Sequence, residues 1–130
     1  MKTIGVGVDI VKNKRIQSSL KNRNFIDRTF SKTEILISRK FKNRVNYFSK
    51  RFAAKEAFAK ALGTGFRQGL NFKDIQILNN KLGKPYYLIN SKIRNLIKKK
   101  KKVHNFDLFL SISDEKEYSV AFTIIQTRNV

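Results

Sequence analysis

Residues 49–62 form the most helix-prone segment of the chain. The segment reads SKRFAAKEAFAKAL and contains neither glycine nor proline. Ser49 is a suitable N-cap, and Gly63 can end the helix in the left-handed conformation that glycine adopts without steric cost. The pattern predicts a helix over residues 49–62.

Alternating apolar and polar residues predict strands on both sides of this helix. The first strand separates aliphatic residues from glycines and a carboxylate, with Ile4, Val6, Val8 and Ile10 on one face and Thr3, Gly5, Gly7 and Asp9 on the other. The other expected elements are a helix over residues 12–21, a helix from Ser31 with a capping box to Glu34, a hairpin around residues 75–77 and 86–89, a helix over 91–102, and strands over 106–112 and 118–124. The order lacks regular alternation of strand and helix, so we expect an α+β fold with helices packed on an antiparallel sheet, as a single domain over residues 1–130.

The composition limits the chemistry that the chain can perform. There is no Cys and a single His, which excludes thiolate chemistry and multi-histidine metal sites. A metal ion would therefore be held by carboxylates, as suits magnesium. The net charge of +20 indicates an anionic partner. The N-terminal residues lack a secretion-type leader and no apolar run reaches membrane-spanning length, so we expect a cytoplasmic protein without membrane contact.

Two carboxylates are candidates for a metal site. Asp9 lies at the end of the first strand, on the glycine face, where space for a ligand is expected. Glu56 is the single acidic residue between Glu34 and Asp74, and Lys60 follows it by one helical turn. The simpler interpretation of Glu56 and Lys60 is a surface ion pair worth about 0.2–0.5 kcal/mol. If Asp9 and Glu56 converge, they could instead hold one magnesium ion together with substrate phosphate.

Several motifs in order resemble the bacterial holo-acyl-carrier-protein synthases. They are GVGVDIV at residues 5–11 with Arg15, Glu34, RFAAKEA at residues 51–57 with Lys60, GTG at residues 63–65, GKP at residues 83–85, and SISD at residues 111–114 followed by Tyr118. The resemblance covers nearly the whole chain. One departure is Phe109, where many members of that family carry a histidine.

The resemblance implies a magnesium-dependent transfer of phosphopantetheine from coenzyme A to a serine of an acyl carrier protein. Asp9 and Glu56 would hold magnesium, and Lys60 would contact the pyrophosphate and assist the leaving phosphate. Coenzyme A would lie along the helix and the loop of Gly63, Thr64 and Gly65, with Arg51 and Lys55 at its phosphates. Lys14 and Arg15 would bind the acidic carrier protein, and the assembly would be a homotrimer.

Two other functions remain open from the sequence. The net charge, the lysine run at residues 98–102 and the aromatic residues are also typical of a small nucleic-acid-binding protein. A noncatalytic adaptor for an acidic protein would need Arg15 but neither Asp9 nor Glu56. For the transferase, the base that takes the serine proton stays open between Glu56, acting directly or through a water, and a water on the metal.

Overall fold

A computed structural model describes residues 1–66 and 69–128. Its elements, in chain order, are β1 (Lys2–Lys12), α1 (Asn13–Ser19), α2 (Arg23–Thr29), α3 (Lys32–Ser38), α4 (Arg44–Leu62), a 3₁₀ turn (Phe72–Asp74), β2 (Gln76–Asn79), β3 (Pro85–Leu88), α5 (Ser91–Lys101), β4 (Phe106–Asp114) and β5 (Tyr118–Thr127). Arg67 and Gln68, which belong to the expected glycine-rich loop, lie outside the described residues. The expected α+β class with an antiparallel sheet is confirmed.

The strands form two antiparallel sheets. One has the order β1-β5-β4 and the other is the β2-β3 hairpin. Helix α4 packs on one face of the larger sheet against β1 and β5. Most of α4 is buried, including Phe48, Ala53, Ala57 and Phe58. The core therefore lies between α4 and the sheet.

Local capping signals set several helix ends as expected. Ser31 and Glu34 form the reciprocal capping box at the start of α3. Gly63 ends α4 with φ 92°. At both positions the signal lies within a few residues of the element that it controls, which is why the sequence reveals it.

Three expectations about the elements were wrong in detail. Helix α1 is shorter than residues 12–21, and an additional helix, α2, follows with the Asn22 side chain capping it. Helix α4 begins at Arg44, where Asn43 accepts a hydrogen bond from the backbone N–H of Asn46, so Ser49 lies buried inside the helix. Asparagine caps at both places account for the differences.

Among the helices that the structure describes, none combines the length and the apolar character that crossing a membrane requires.

Candidate active site

Strand β1 lies unusually close to α4 because its inner face carries Gly5 and Gly7. A Cβ atom on Gly7 would lie 2.0 Å from the carbonyl oxygen of Ala57, and one on Gly5 would lie 2.3 Å from that of Ala61. Larger residues would push the strand away from the helix. The expectation that these glycines leave room for a ligand is wrong, since the α4 backbone fills that space. Their effect is to bring Asp9, on the same face, toward α4.

Lys60 contacts β1 directly. Its ammonium donates to Oδ1 of Asp9 and to the carbonyl oxygen of Val8, both at 3.0 Å. Within the described residues, the ion pair of Lys60 is formed with Asp9, while no pair with Glu56 within 4.0 Å occurs. The simpler interpretation, a Glu56–Lys60 surface pair, therefore does not describe this site.

Glu56 is half-buried beside the same group of charges. Burial is the largest effect on it and raises the pKa of Glu56, and the negative charge of Asp9 raises this pKa further. The positive charges of Lys60 and Arg15 lower the pKa by less. One electrostatic environment is thus shared by Asp9, Arg15, Glu56 and Lys60. In it, the negative charge of Asp9 repels that of Glu56.

Arg15 connects this charged group to a row of aromatic rings. Its guanidinium lies over the Phe52 ring, 6.0 Å from the centroid. Phe52 stacks on Phe72 at 5.4 Å, and Phe72 stacks on Phe66 at 3.7 Å. The sequence reasoning did not single out Phe66 or Phe72. The sequence offered a signal for Phe66, because this residue directly follows Gly65 in the expected glycine-rich loop. It offered no local signal for Phe72.

The loop after α4 begins one turn beyond Lys60. The backbone N–H groups of Gly63 and Gly65 both donate to the Ala59 carbonyl, at 3.1 and 3.3 Å, and Gly65 has φ 60°. Thr64 donates its hydroxyl to the Gly65 carbonyl at 3.1 Å. The loop is therefore held on the end of α4 next to the charged group, and coenzyme A binding by residues 63–65 stays a prediction.

Lys55 is buried and engaged by other groups of the chain. Its side chain is 0% exposed, and its ammonium donates to Glu34 Oε1 at 2.7 Å, to the Phe72 carbonyl at 2.9 Å and to the Ile75 carbonyl. These three acceptors use all three protons of the ammonium. With Glu34, the capping-box residue, as its partner, Lys55 has no proton left for a phosphate in this structure, and its contact with coenzyme A stays a prediction.

Arg51 is also buried, with 3% of its surface exposed. Its guanidinium lies 3.7 Å from the centroid of the Tyr47 ring and donates to Asn79 Oδ1. Its Nε is buried without a partner in the described structure. The contact of Arg51 with a phosphate stays a prediction.

Lys14 and Arg15 lie on different surfaces although they are neighbours in sequence. Lys14 lines a polar groove of about 860 Å³ between α1, the start of α4 and the turn after β4. Neither Asp9 nor Glu56 lines this groove. The structure thus brings Asp9, Arg15, Glu56 and Lys60 together and places Lys14, Arg51 and Lys55 elsewhere.

Comparisons with known proteins show what the whole chain is similar to. A model of the 4′-phosphopantetheinyl transferase superfamily matches residues 5–123. A holo-[acyl-carrier-protein] synthase of Pelagibacter ubique (strain HTCC1062) is 59% identical over 128 residues, which cover 98% of this chain and 100% of the relative. The crystal structure of holo-[acyl-carrier-protein] synthase from Neisseria meningitidis has 36% identity and a TM-score of 0.86, covering 96% of this chain and 99% of that one. The synthase of Bacillus anthracis, solved at 2.31 Å in complex with CoA (3′,5′-ADP), has 29% identity and a TM-score of 0.81, covering 98% and 99%. The chain belongs to the 4′-phosphopantetheinyl transferase superfamily.

Proposed function

We propose that this chain is a cytoplasmic, magnesium-dependent holo-[acyl-carrier-protein] synthase. It transfers the 4′-phosphopantetheine group of coenzyme A to a serine of apo acyl carrier protein and releases adenosine 3′,5′-bisphosphate. The observation that carries the proposal is the group of Asp9, Glu56 and Lys60 where β1 meets α4. Relatives named as synthases, similar over the whole chain, support the same reaction.

Asp9 and Glu56 fit a magnesium ion. Both offer hard oxygen ligands. The pKa of Glu56 is raised first by burial and second by the negative charge of Asp9, and a divalent cation would relieve this repulsion. The described residues contain no group of three potential ligands. Magnesium commonly binds one or two carboxylates together with substrate phosphates and waters, so two protein ligands suffice. When bound, the ion supplies neutralisation of the pyrophosphate charge.

Lys60 is suited to stabilise the leaving group. Its side chain is 53% exposed, whereas that of Asp9 is 15% exposed, so the Lys60 ammonium can turn from Asp9 to a phosphate oxygen when a magnesium ion balances the Asp9 charge. In the reaction the serine oxygen bonds to the pantetheine-side phosphorus, the bridging P–O bond breaks, and the bisphosphate leaves with the electron pair. Positive charge near that oxygen lowers the barrier of a phosphoryl transfer. Glu56, with its raised pKa, is a candidate to accept the serine proton.

Arg15 would orient the acidic carrier protein near the reacting groups. Its charge is felt by Glu56, and its guanidinium lies over Phe52. An acidic side chain of the carrier that pairs with Arg15 would bring the neighbouring chain close to Glu56. Lys14 would act at longer range, from the groove beside α1.

The homotrimer is part of the proposal and is supported by the outer face of the larger sheet. Val6, Val8 and Ile10 of β1 are each about half exposed or more on the face opposite α4, and Phe109 and Phe122 extend this apolar surface. Contiguous apolar patches on a soluble protein usually mark an interface. The aliphatic face of β1 is thus the face left uncovered in a single subunit.

The lysine run has a structural explanation that does not require nucleic acid. Residues 98–101 form the last turn of α5, where positive charge is favoured by the helix dipole. Coenzyme A and an acidic carrier protein are anionic partners, so they account for the net positive charge as well as nucleic acid would. We therefore retain the transferase alone as the proposed function.

Substitutions at the three central residues test the assignment. Asp9→Asn and Glu56→Gln are expected to abolish magnesium-dependent turnover with the circular-dichroism spectrum unchanged, because each removes a charged ligand. Lys60→Ala is expected to lower kcat by about 10²-fold or more, as for loss of a group that stabilises transition-state charge. Normal turnover in all three variants would contradict the site.

A further inference from the structure

A second groove lies between α2, α3 and the start of α4. It encloses about 400 Å³ and is lined by Arg23, Ile26, Ile35, Arg39 and Arg44. The two isoleucines are partly buried and pack against the core, whereas the three arginines are exposed. An apolar floor with a basic rim is the arrangement that accepts the apolar face of an amphipathic helix with acidic residues beside it.

The rim of this groove carries positive charge that the chain does not neutralise. Arg23 pairs with Asp27 at 3.4 Å. Among the described residues, Arg39 and Arg44 have no carboxylate within 4.0 Å. Arg44 lies over the Phe48 ring at 5.4 Å and donates to the Ser38 hydroxyl at 3.4 Å, which fixes its position without neutralising its charge. Guanidinium groups of this kind favour carboxylates.

Helix α2 lies between this groove and the active site. Phe25 of α2 contacts the Phe52 ring at 5.9 Å, and Arg15 lies over that same ring. Ile26, the next residue, lines the groove. A helix with side chains is about 10 Å wide, whereas a standard interface of about 800 Å² per partner is roughly 30 Å across. One bound protein can therefore contact Arg15 and the groove together.

We propose that the α2–α3 groove is a second docking surface for the acyl carrier protein, which places an acidic amphipathic helix in it. Carboxylates of that helix pair with Arg39 and Arg44, and its apolar residues contact Ile26 and Ile35. The proposal rests on the proposed function for the identity of the carrier, and it is argued from charge complementarity. It assigns to Arg39 and Arg44 a role in affinity for the carrier and none in the chemical step.

The double variant Arg39→Gln/Arg44→Gln tests the groove by steady-state kinetics. We expect the KM for apo carrier to rise about five- to tenfold, the size of two lost exposed ion pairs, with kcat and the KM for coenzyme A unchanged. A matched control, Lys2→Gln/Lys99→Gln, removes the same charge from exposed positions outside the groove and is expected to raise the carrier KM less than twofold. Equal effects in the two double variants would overturn the proposal, because they would reflect only long-range attraction.

Carrier binding at the groove can also be observed directly. The Nε–Hε NMR signals of Arg39 and Arg44 are expected to shift when apo carrier is added to the wild-type protein, and a carrier that shifts Arg15 alone would overturn the proposal. A double variant with a smaller assembly by light scattering would mean that a second copy of this chain occupies the groove, which also overturns it. A wild-type protein that leaves the carrier unmodified would contradict the proposed function, and the NMR titration would still decide whether the groove binds the carrier.

Discussion

At the scale of single residues, the surroundings of Glu56 disfavour its charged form. Burial and the charge of Asp9 raise its pKa, so the folded protein binds a proton at Glu56 more tightly than the unfolded chain does. Stability therefore falls as the pH rises from the ordinary glutamate pKa through the raised one, and it stays lower above that range. A metal ion that neutralises both carboxylates would reverse this loss.

Glu56→Gln is accordingly expected to stabilise the metal-free protein at pH values above the raised pKa of Glu56, where the carboxylate is ionised. In the presence of chelator, the melting temperature of the variant should exceed that of the wild type in that pH range, and the gap should close below the ordinary glutamate pKa. Magnesium should raise the melting temperature of the wild type and leave the variant unchanged. Glu117→Gln, at an exposed position, serves as the control. A variant less stable than the wild type in that pH range would show that Glu56 is not under charge strain.

At the scale of elements, the buried pair of Lys55 and Glu34 joins α4, α3 and the segment leading into β2. Glu34 accepts from Ser31 N at 3.0 Å and from Ile77 N at 3.1 Å, while Lys55 donates to the carbonyls of Phe72 and Ile75. Phe72 in turn stacks on Phe52 and Phe66 beside the active site. The pair thus fixes the aromatic row relative to α4.

Lys55→Met is expected to destabilise the protein by about 3–5 kcal/mol, because it leaves the Glu34 carboxylate buried without a cation. The double variant Lys55→Met/Glu34→Gln should recover part of this loss, but not all, since the Phe72 and Ile75 carbonyls still lack a donor. Lys60→Met is the matched control: it removes a half-exposed lysine whose partner Asp9 keeps 15% of its side chain in contact with water, so it should cost less than Lys55→Met. Urea unfolding measures all three. A Lys55→Met variant as stable as Lys60→Met would contradict the structural role of the pair.

The elements that the sequence revealed are those set by neighbouring residues. The Ser31–Glu34 box and the Gly63 cap act within their own turns, so they could be recognised from the sequence. The burial of Lys55 depends on Glu34, which lies 21 residues away, and the position of Arg51 depends on Asn79, which is 28 residues away. Contacts of that separation leave no local pattern, which is why the sequence did not reveal that Lys55 is buried.

At the scale of the whole molecule, the first strand has its aliphatic residues on the uncovered side. Its inner face needs glycines, because α4 approaches to backbone distance at Gly5 and Gly7. Val6, Val8 and Ile10 therefore face outward, where a single subunit offers nothing to cover them. The composition of a strand reflects both the fold and the assembly, and the sequence alone does not separate the two.

Val8→Lys is expected to break the proposed trimer while leaving the subunit folded. Val8 is half exposed, so a lysine there costs little in a monomer, but in an interface it would be buried without a partner. Light scattering should report a trimer for the wild type and a monomer for the variant, with similar circular-dichroism spectra. Lys99→Glu, an exposed control on α5, should leave the assembly intact. An unchanged mass for Val8→Lys would place the interface elsewhere.

The central claim is that Asp9, Glu56 and Lys60 form the active site of a phosphopantetheine transfer to a carrier protein. Its most direct test is to incubate the protein with apo acyl carrier protein, coenzyme A and magnesium, with and without chelator, and to weigh the carrier by mass spectrometry. We predict a mass gain equal to phosphopantetheine that disappears with chelator and with Glu56→Gln. A carrier that keeps its mass in the presence of magnesium would contradict the claim.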